Sequence, residues 1–309
     1  ARDLMTRRTK KARRSFDDLP FKCSPLRSSR RWCQWSWSRN VRGCAIMKKI
    51  LVLGAGQSSP FLISYLLDNA QENEWFVTVA DLDINVAAQR INGHPRGDAI
   101  KLNANDMAML AAQIKKSDVV VNMLAPQFQH MVAWECVQYG THMISASYRD
   151  QQVRDLHPEA QRSDILILCE CGLDPGIDHM SAMRTINRIK QKGGEIISFY
   201  SFTGGLVAPE SDNNPWNYKL TWNPRNVVMA GKGISKYIQK GNYKYVPYFC
   251  LFNRILTRKI LNYGEFEAYP NRDSLSYREI YGLKNIPSML RATLRRPGYA
   301  KAWNVFVAG

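Results

Sequence analysis

From Lys48 onward, short apolar runs alternate with amphipathic stretches. Residues 50–53 (ILVL), 76–80 (FVTVA), 99–102 (AIKL), 118–124 (DVVVNML), 142–146 (HMISA) and 165–169 (ILILC) read as strands. Their β-branched, nearly continuous apolar character is that of strands covered on both faces. Between them, FLISYLL after Pro60 and residues 84–91, 106–115, 128–139 and 150–163 read as helices, with Asp83 and Asp106 as caps. Such alternation predicts a parallel sheet flanked by helices.

The texture changes after Cys171. GLDPGIDH is an irregular turn leading into a helix over 178–189, which Gly193 and Gly194 end. Residues 196–203 (IISFYSFT) alternate like a strand with one exposed face, and the chain beyond is rich in aromatics, Gly, Pro and Asn. The expected fold is α/β: a Rossmann-type doubly wound parallel sheet followed by a second α+β domain on a mixed or antiparallel sheet. The expected division is a basic extension over 1–46, a dinucleotide-binding domain over 47–171 and a substrate-binding domain over 172–309.

The first strand runs into Gly54-Ala-Gly56-Gln57-Ser58-Ser59-Pro60. Strand, glycine turn and helix form the opening unit of a dinucleotide fold. Gly54 permits the tight turn and Gly56 lets backbone approach a pyrophosphate. Gln57 and Ser58 complete the loop, Ser59 is expected to cap the helix, and Pro60 suits its first position. Ser59 stands where GxGxxG has its third glycine, and an ordinary strand-to-helix turn is the competing reading. Asp81 ends the second strand about 25 residues past Gly56, near the ~20-residue spacing of the acid that binds the adenosine ribose. An acid there repels a 2′-phosphate and favours NAD over NADP; a solvated loop acid is the alternative. Met123 and Leu124, with Ala125 and Pro126 after them, end the fourth strand and are expected to line the cofactor cleft.

Composition alters one part of this picture. The net charge is +17 over 309 residues, but residues 1–46 hold thirteen Lys/Arg against three Asp. That segment lacks apolar periodicity, and Met47 opens MKKILVLG like a natural start. It reads as upstream sequence, as a transit peptide, or as a basic arm for nucleic acid. No apolar run approaches bilayer length. The seven cysteines lack a framework spacing, so a reducing, cytoplasmic setting is expected.

The segments LVLGAG, SASY (145–148), GLDPGIDH (172–179), GGEIISF, TGGLVAPES (203–211), YKLTWNPR (218–225), AYPNRDS (268–274) and TLRRPGY (293–299) resemble, in order, the saccharopine dehydrogenase family, most closely its glutamate-forming branch. The resemblance covers nearly all of residues 47–309 and implies an enzyme of lysine metabolism. Glutamate's amine and the aldehyde of 2-aminoadipate 6-semialdehyde form an imine, which takes hydride from NAD(P)H. Family members continue beyond the point matching Gly309, so a C-terminal truncation is expected.

The resemblance also implies site residues. Tyr148 and Asp174 match catalytic positions: Tyr148 donates or relays a proton, and Asp174 stabilises the iminium charge. Ser147, Tyr148, Asp174, Arg272, Thr293, Leu294 and Arg295 match substrate-binding positions, with Arg225 and Arg296 as further contacts. Fixed guanidinium groups suit a substrate with three carboxylates. From the residues alone, Asp174 also reads as a turn former before Pro175, and Tyr148 as a half-buried aromatic. Two departures stand out. Asp81 occupies the region where the glutamate-forming enzymes carry basic or hydroxyl residues for NADP. Thr203 stands where they often have Cys, which excludes a thiol acid/base there.

Cys169, Cys171 and His179 suggest a metal, but no further ligands are evident, and none is expected. His130, His142 and His157 read as surface or packing residues. The expected partners are small molecules, with a homodimer open and no membrane. The competing functions are a carboxynorspermidine-type dehydrogenase on another amine and aldehyde, and a nucleic-acid-binding protein using the basic arm.

Overall fold

A computed structural model describes residues 47–222, 224, 227 and 233–308. The basic segment 1–46, and every expectation placed on it, lies outside the described residues, as does Arg225.

Six parallel strands form the first sheet: β1 (Lys48–Leu53), β2 (Trp75–Asp81), β3 (Gly97–Lys101), β4 (Val119–Asn122), β5 (His142–Ser145) and β6 (Ile167–Leu168), in the order β3-β2-β1-β4-β5-β6. The order reverses between β1 and β4, which opens a crevice beyond their carboxyl ends. Helices α1 (Pro60–Asp68), α2 (Ile84–Ile91), α3 (Met107–Ile114) and α4 (Gln129–Tyr139) cover both faces. Successive β1 side chains enter opposite cores. Leu51 and Leu53 pack with Leu110, Val120 and Met143, whereas Ile50 and Val52 pack with Ile63, Val77 and Ala87. Each such burial contributes about 1.5–3 kcal/mol, which explains the continuous apolar runs.

The capping expectations divide. Asp83 accepts from the Asn85 amide and Asp106 from the Met109 amide. Ser59 precedes α1, with Pro60 at its first position, but its side chain makes no capping bond. Its hydroxyl instead donates back to the Gly56 carbonyl at 2.9 Å. The continuous helix expected over 150–163 is broken into α5 (Gln151–Asp155) and α6 (His157–Arg162). Pro158 sits in the first turn of α6, where its missing N–H and its ring are tolerated but cannot continue a preceding helix.

Helix α7 (Ile177–Gln191) leads to a second, mixed sheet of β7 (Phe199–Thr203), β8 (Ser235–Gln239), β9 (Asn242–Val246), β10 (Leu256–Lys259), β11 (Glu265–Pro270) and β12 (Met289–Arg295). Strand β12 runs parallel to β7 and antiparallel to β11 and β8. Met289 packs with Ile186 of α7 and with Tyr281, while Leu290 and Ala292 join the core of the closing helix α8 (Tyr299–Ala308). Among the described residues, no helix is long and apolar enough to cross a membrane.

Candidate active site

At the end of β1, Gly54 has φ +99°, and a Cβ there would lie 3.2 Å from the Met123 carbonyl oxygen. A glycine is required for both reasons. The turn thus packs against the β4 end, where the Met123 amide donates to Leu53 and the buried Asn122 accepts from the Leu124 amide. Met123 and Leu124 are half-buried. Gly56, Gln57 and Ser58 form an exposed crest, and a Cβ at Gly56 meets nothing within 4 Å. This open backbone before a helix fits a pyrophosphate. Ser59 is buried, and its amide and hydroxyl both turn to Gly56 rather than outward. Asp81 ties the turn together: Oδ2 accepts from the Ala55 amide at 2.7 Å and Oδ1 from the Asp83 amide at 3.0 Å. Arg90 Nε donates to the Ala55 carbonyl at 3.3 Å, bringing a cation to the same loop.

Beyond β5 and β6, two loops converge. The Tyr148 hydroxyl donates to Asp174 Oδ1 at 2.7 Å. The loop carrying Asp174 is fixed by its glycines: Gly176 has φ +149°, and a Cβ on it would strike the Gly172 carbonyl. The Gly172 amide donates to Pro175 and the Ile177 amide to Gly172, both at 2.9 Å. This tight ring explains why GLDPG precedes α7. Burial first, then the charge and hydrogen bond of Asp174, push the Tyr148 phenol up, leaving it a neutral donor.

Two further residues complete the cluster, and the sequence reading missed both. Arg291 Nη2 donates to Asp174 Oδ1 at 2.9 Å and to Asp178 Oδ2 at 2.8 Å. Its guanidinium lies 4.2 Å from the centroid of the Tyr277 ring. Arg291 and Asp178 are both buried. A charge inside an apolar strand run is rarely buried unless paired, and Arg291 in MLRATLR carried that signal. Asp178 also accepts from the Gly176 amide at 2.8 Å. His179 stacks on Tyr277, and its Nδ1 lies 2.6 Å from the Tyr281 hydroxyl.

The arginines expected at the substrate behave differently. Arg272 is exposed at φ +38°, with its carbonyl accepting from Lys236. Arg295 is 7% exposed, facing the rings of Tyr218, Tyr299 and Tyr269, and its Nε is buried with no hydrogen-bond partner among the described residues. A buried guanidinium with an unused donor suits a carboxylate. Arg296 pairs with Asp212 at 3.7 Å. Thr293 and Leu294 are half-buried just before Arg295, and Ser147 is half-buried beside Tyr148. Thr203 lies opposite Thr293 in the β7–β12 register. Among the described residues, no group of three or more His, Cys, Asp or Glu is placed to hold a metal ion.

Two family models match. The Saccharopine dehydrogenase NADP binding domain covers residues 50–168, and the Saccharopine dehydrogenase C-terminal domain covers 172–308. The chain is 33% identical over 253 residues to saccharopine dehydrogenase (NADP(+), L-glutamate-forming) of Schizosaccharomyces pombe, covering 82% of this chain and 56% of that enzyme. It is 34% identical over 271 residues to alpha-aminoadipic semialdehyde synthase of Arabidopsis thaliana, covering 81% of this chain and 26% of the synthase. The solved structure of saccharopine dehydrogenase (L-Glu forming) from Saccharomyces cerevisiae superposes with a TM-score of 0.73 at 32% identity, covering 82% of this chain and 56% of that one. The chain therefore spans about half the length of the fungal relatives. A nicotinamide cofactor is indicated by the first domain. With the two family models matching in succession over residues 50–168 and 172–308, this chain belongs to the saccharopine dehydrogenase family.

Proposed function

We propose that this protein is an oxidoreductase acting on a C–N bond. In this reading it passes hydride between a nicotinamide dinucleotide and the imine of glutamate with 2-aminoadipate 6-semialdehyde. The observation that carries the reading is the hydrogen bond of the Tyr148 hydroxyl to Asp174, formed where the β5 and β6 ends meet. The reading divides the chain as the sequence does, with residues 47–171 for the cofactor and 172–309 for the substrate.

The backbone amides of Gly56, Gln57 and Ser58 would hold the pyrophosphate, with Pro60 opening the helix beside it, Asp81 the adenosine ribose, and Met123 and Leu124 the cleft wall. When bound, the nicotinamide supplies or accepts the hydride. The remaining work falls to side chains. Tyr148, kept protonated, gives its proton at Oη to the carbinolamine oxygen as water leaves. Asp174, already an acceptor, faces the iminium charge that results. Ser147, Arg272 and Arg295 are assigned to the substrate carboxylates, with Arg295 as the buried anchor, and Thr293 and Leu294 to the remaining substrate contacts.

Asp81 supports NAD, because a carboxylate at the β2 end repels a 2′-phosphate. The NADP in the names of the relatives points the other way, and Arg90 is the cation in place to meet that phosphate. The cytoplasm is the proposed location, although the mammalian relatives are named mitochondrial. A homodimer is one assembly this reading leaves open, to be measured by light scattering. The deciding experiment follows NADH and NADPH oxidation with semialdehyde plus glutamate. Glutamate-dependent oxidation supports the reading, and its absence with both cofactors removes it.

A further inference from the structure

We propose that Glu170 is a positioning residue that fixes Tyr148 against Asp174. The proposal rests on the catalytic reading of that pair.

Glu170 adopts φ +63°, a left-handed conformation that is strained for a residue with a Cβ. Such strain persists only where the surroundings enforce it, and it concentrates at functional sites. Here two of the contacts that hold the residue reach the Tyr148 loop. The Glu170 amide donates to the Ser147 carbonyl at 3.0 Å, and Oε1 accepts from the Arg149 amide at 3.1 Å. These two bonds bracket Tyr148 in the chain. A third hold comes from Gln129, 1% exposed at the start of α4. Its Nε2 donates to the Tyr148 carbonyl at 2.6 Å, and its Oε1 accepts from Ser145 Oγ at 2.7 Å.

Glu170 also faces the other half of the site. Its Oε2 lies 3.8 Å from His179 Nε2, a buried nitrogen without a hydrogen-bond partner among the described residues. His179 Nδ1 is 3.5 Å from Asp178 Oδ2, the atom that holds Arg291, and Arg291 holds Asp174. One strained residue thus touches both the loop that carries the hydroxyl and the cluster that fixes its acceptor. Glycine would occupy this backbone without strain. Glutamate adds the carboxylate that reaches the Arg149 amide.

The test is a double-mutant cycle in the full chain, using Glu170→Gly, Glu170→Gln and Tyr148→Phe, with kcat normalised to bound cofactor. Glu170→Gly relieves the backbone and removes the carboxylate. It should lower kcat by about 10- to 100-fold, as a ~1 Å misplacement does, with the cofactor Kd unchanged. Glu170→Gln retains an acceptor for the Arg149 amide and should stay within about threefold of wild type. In the Tyr148→Phe background, Glu170→Gly should cost nothing further, because the two act as one unit. An equal loss in both backgrounds, or no loss in the wild type, overturns the positioning role. If Glu170→Gly does not fold, Gln129→Leu is put through the same cycle, and additivity there overturns the clamp. If Tyr148→Phe alone retains full activity, the catalytic reading fails instead, so the two failures are separable.

Discussion

Arg291 and Asp174 lie 117 residues apart in the chain, yet Nη2 of one meets Oδ1 of the other at 2.9 Å. The same nitrogen binds Asp178 at 2.8 Å, so one buried cation answers two carboxylates. Burial opposes the charge on Arg291, but Tyr277, Tyr148 and Asp174 hold its pKa above the ordinary value. Its Nη2 is thus held between two protein carboxylates.

Removing that cation strands two acids. Arg291→Met should destabilise the fold by about 3–5 kcal/mol, the cost of breaking a buried pair from one side. Urea unfolding of the variant against wild type measures it. A change below 1 kcal/mol, within the range of exposed pairs, would contradict the burial seen here.

Asp174→Asn keeps the shape and loses the charge. Turnover should fall by about 10²–10³-fold, the usual scale for losing a group that stabilises charge developing in the transition state, with substrate affinity less affected. Steady-state kcat and KM in both directions separate these effects, and wild-type turnover would leave Asp174 as a turn residue.

Asp81→Ala removes the acceptor for the Ala55 amide as well as the proposed ribose contact. NADH binding should weaken, and the NADPH/NADH preference should rise. Fluorescence titration of both cofactors reads the ratio; an unchanged ratio would confine Asp81 to bracing the turn.

Tyr148 sets a pH signature. Burial first, and Asp174 second, raise its phenol. A group raised on folding stabilises fully below its unfolded value, about 10 for tyrosine, and loses that contribution as pH climbs through the folded value. The stability difference between wild type and Tyr148→Phe should therefore be flat below about pH 10 and shrink above it. Urea titrations across that range check the sign.

Two cysteines should differ in reactivity. Cys136 is 0% exposed, and burial first, then Glu135, push its thiol up to about 12. Cys171 is exposed. Alkylation of the native protein followed by mass spectrometry should label Cys171 and spare Cys136 until denaturant is added.

The first sheet was readable from sequence because its signals are local. Apolar runs, Gly54, and the Asp83 and Asp106 caps all act within a few residues. The break at Leu156 was also local, signalled by Pro158, yet residues 150–163 read as one helix because periodicity outweighed that proline. Ser59 was misassigned because a hydroxyl near a helix start has two nearby acceptors or donors, and here the Gly56 carbonyl wins.

By itself, the order of residues determined the wound sheet, its glycine turn and the loops bearing Tyr148 and Asp174. Period and turn chemistry are properties of neighbours in the chain. Only the tertiary structure decided that Arg291 would neutralise Asp174 and Asp178, that Arg295 would sit among tyrosines, and that Glu170 would hold the Tyr148 loop. The Arg291 pairings form only where β12 meets the start of α7, and a charge in a strand does not announce which distant charge the fold will bring to it.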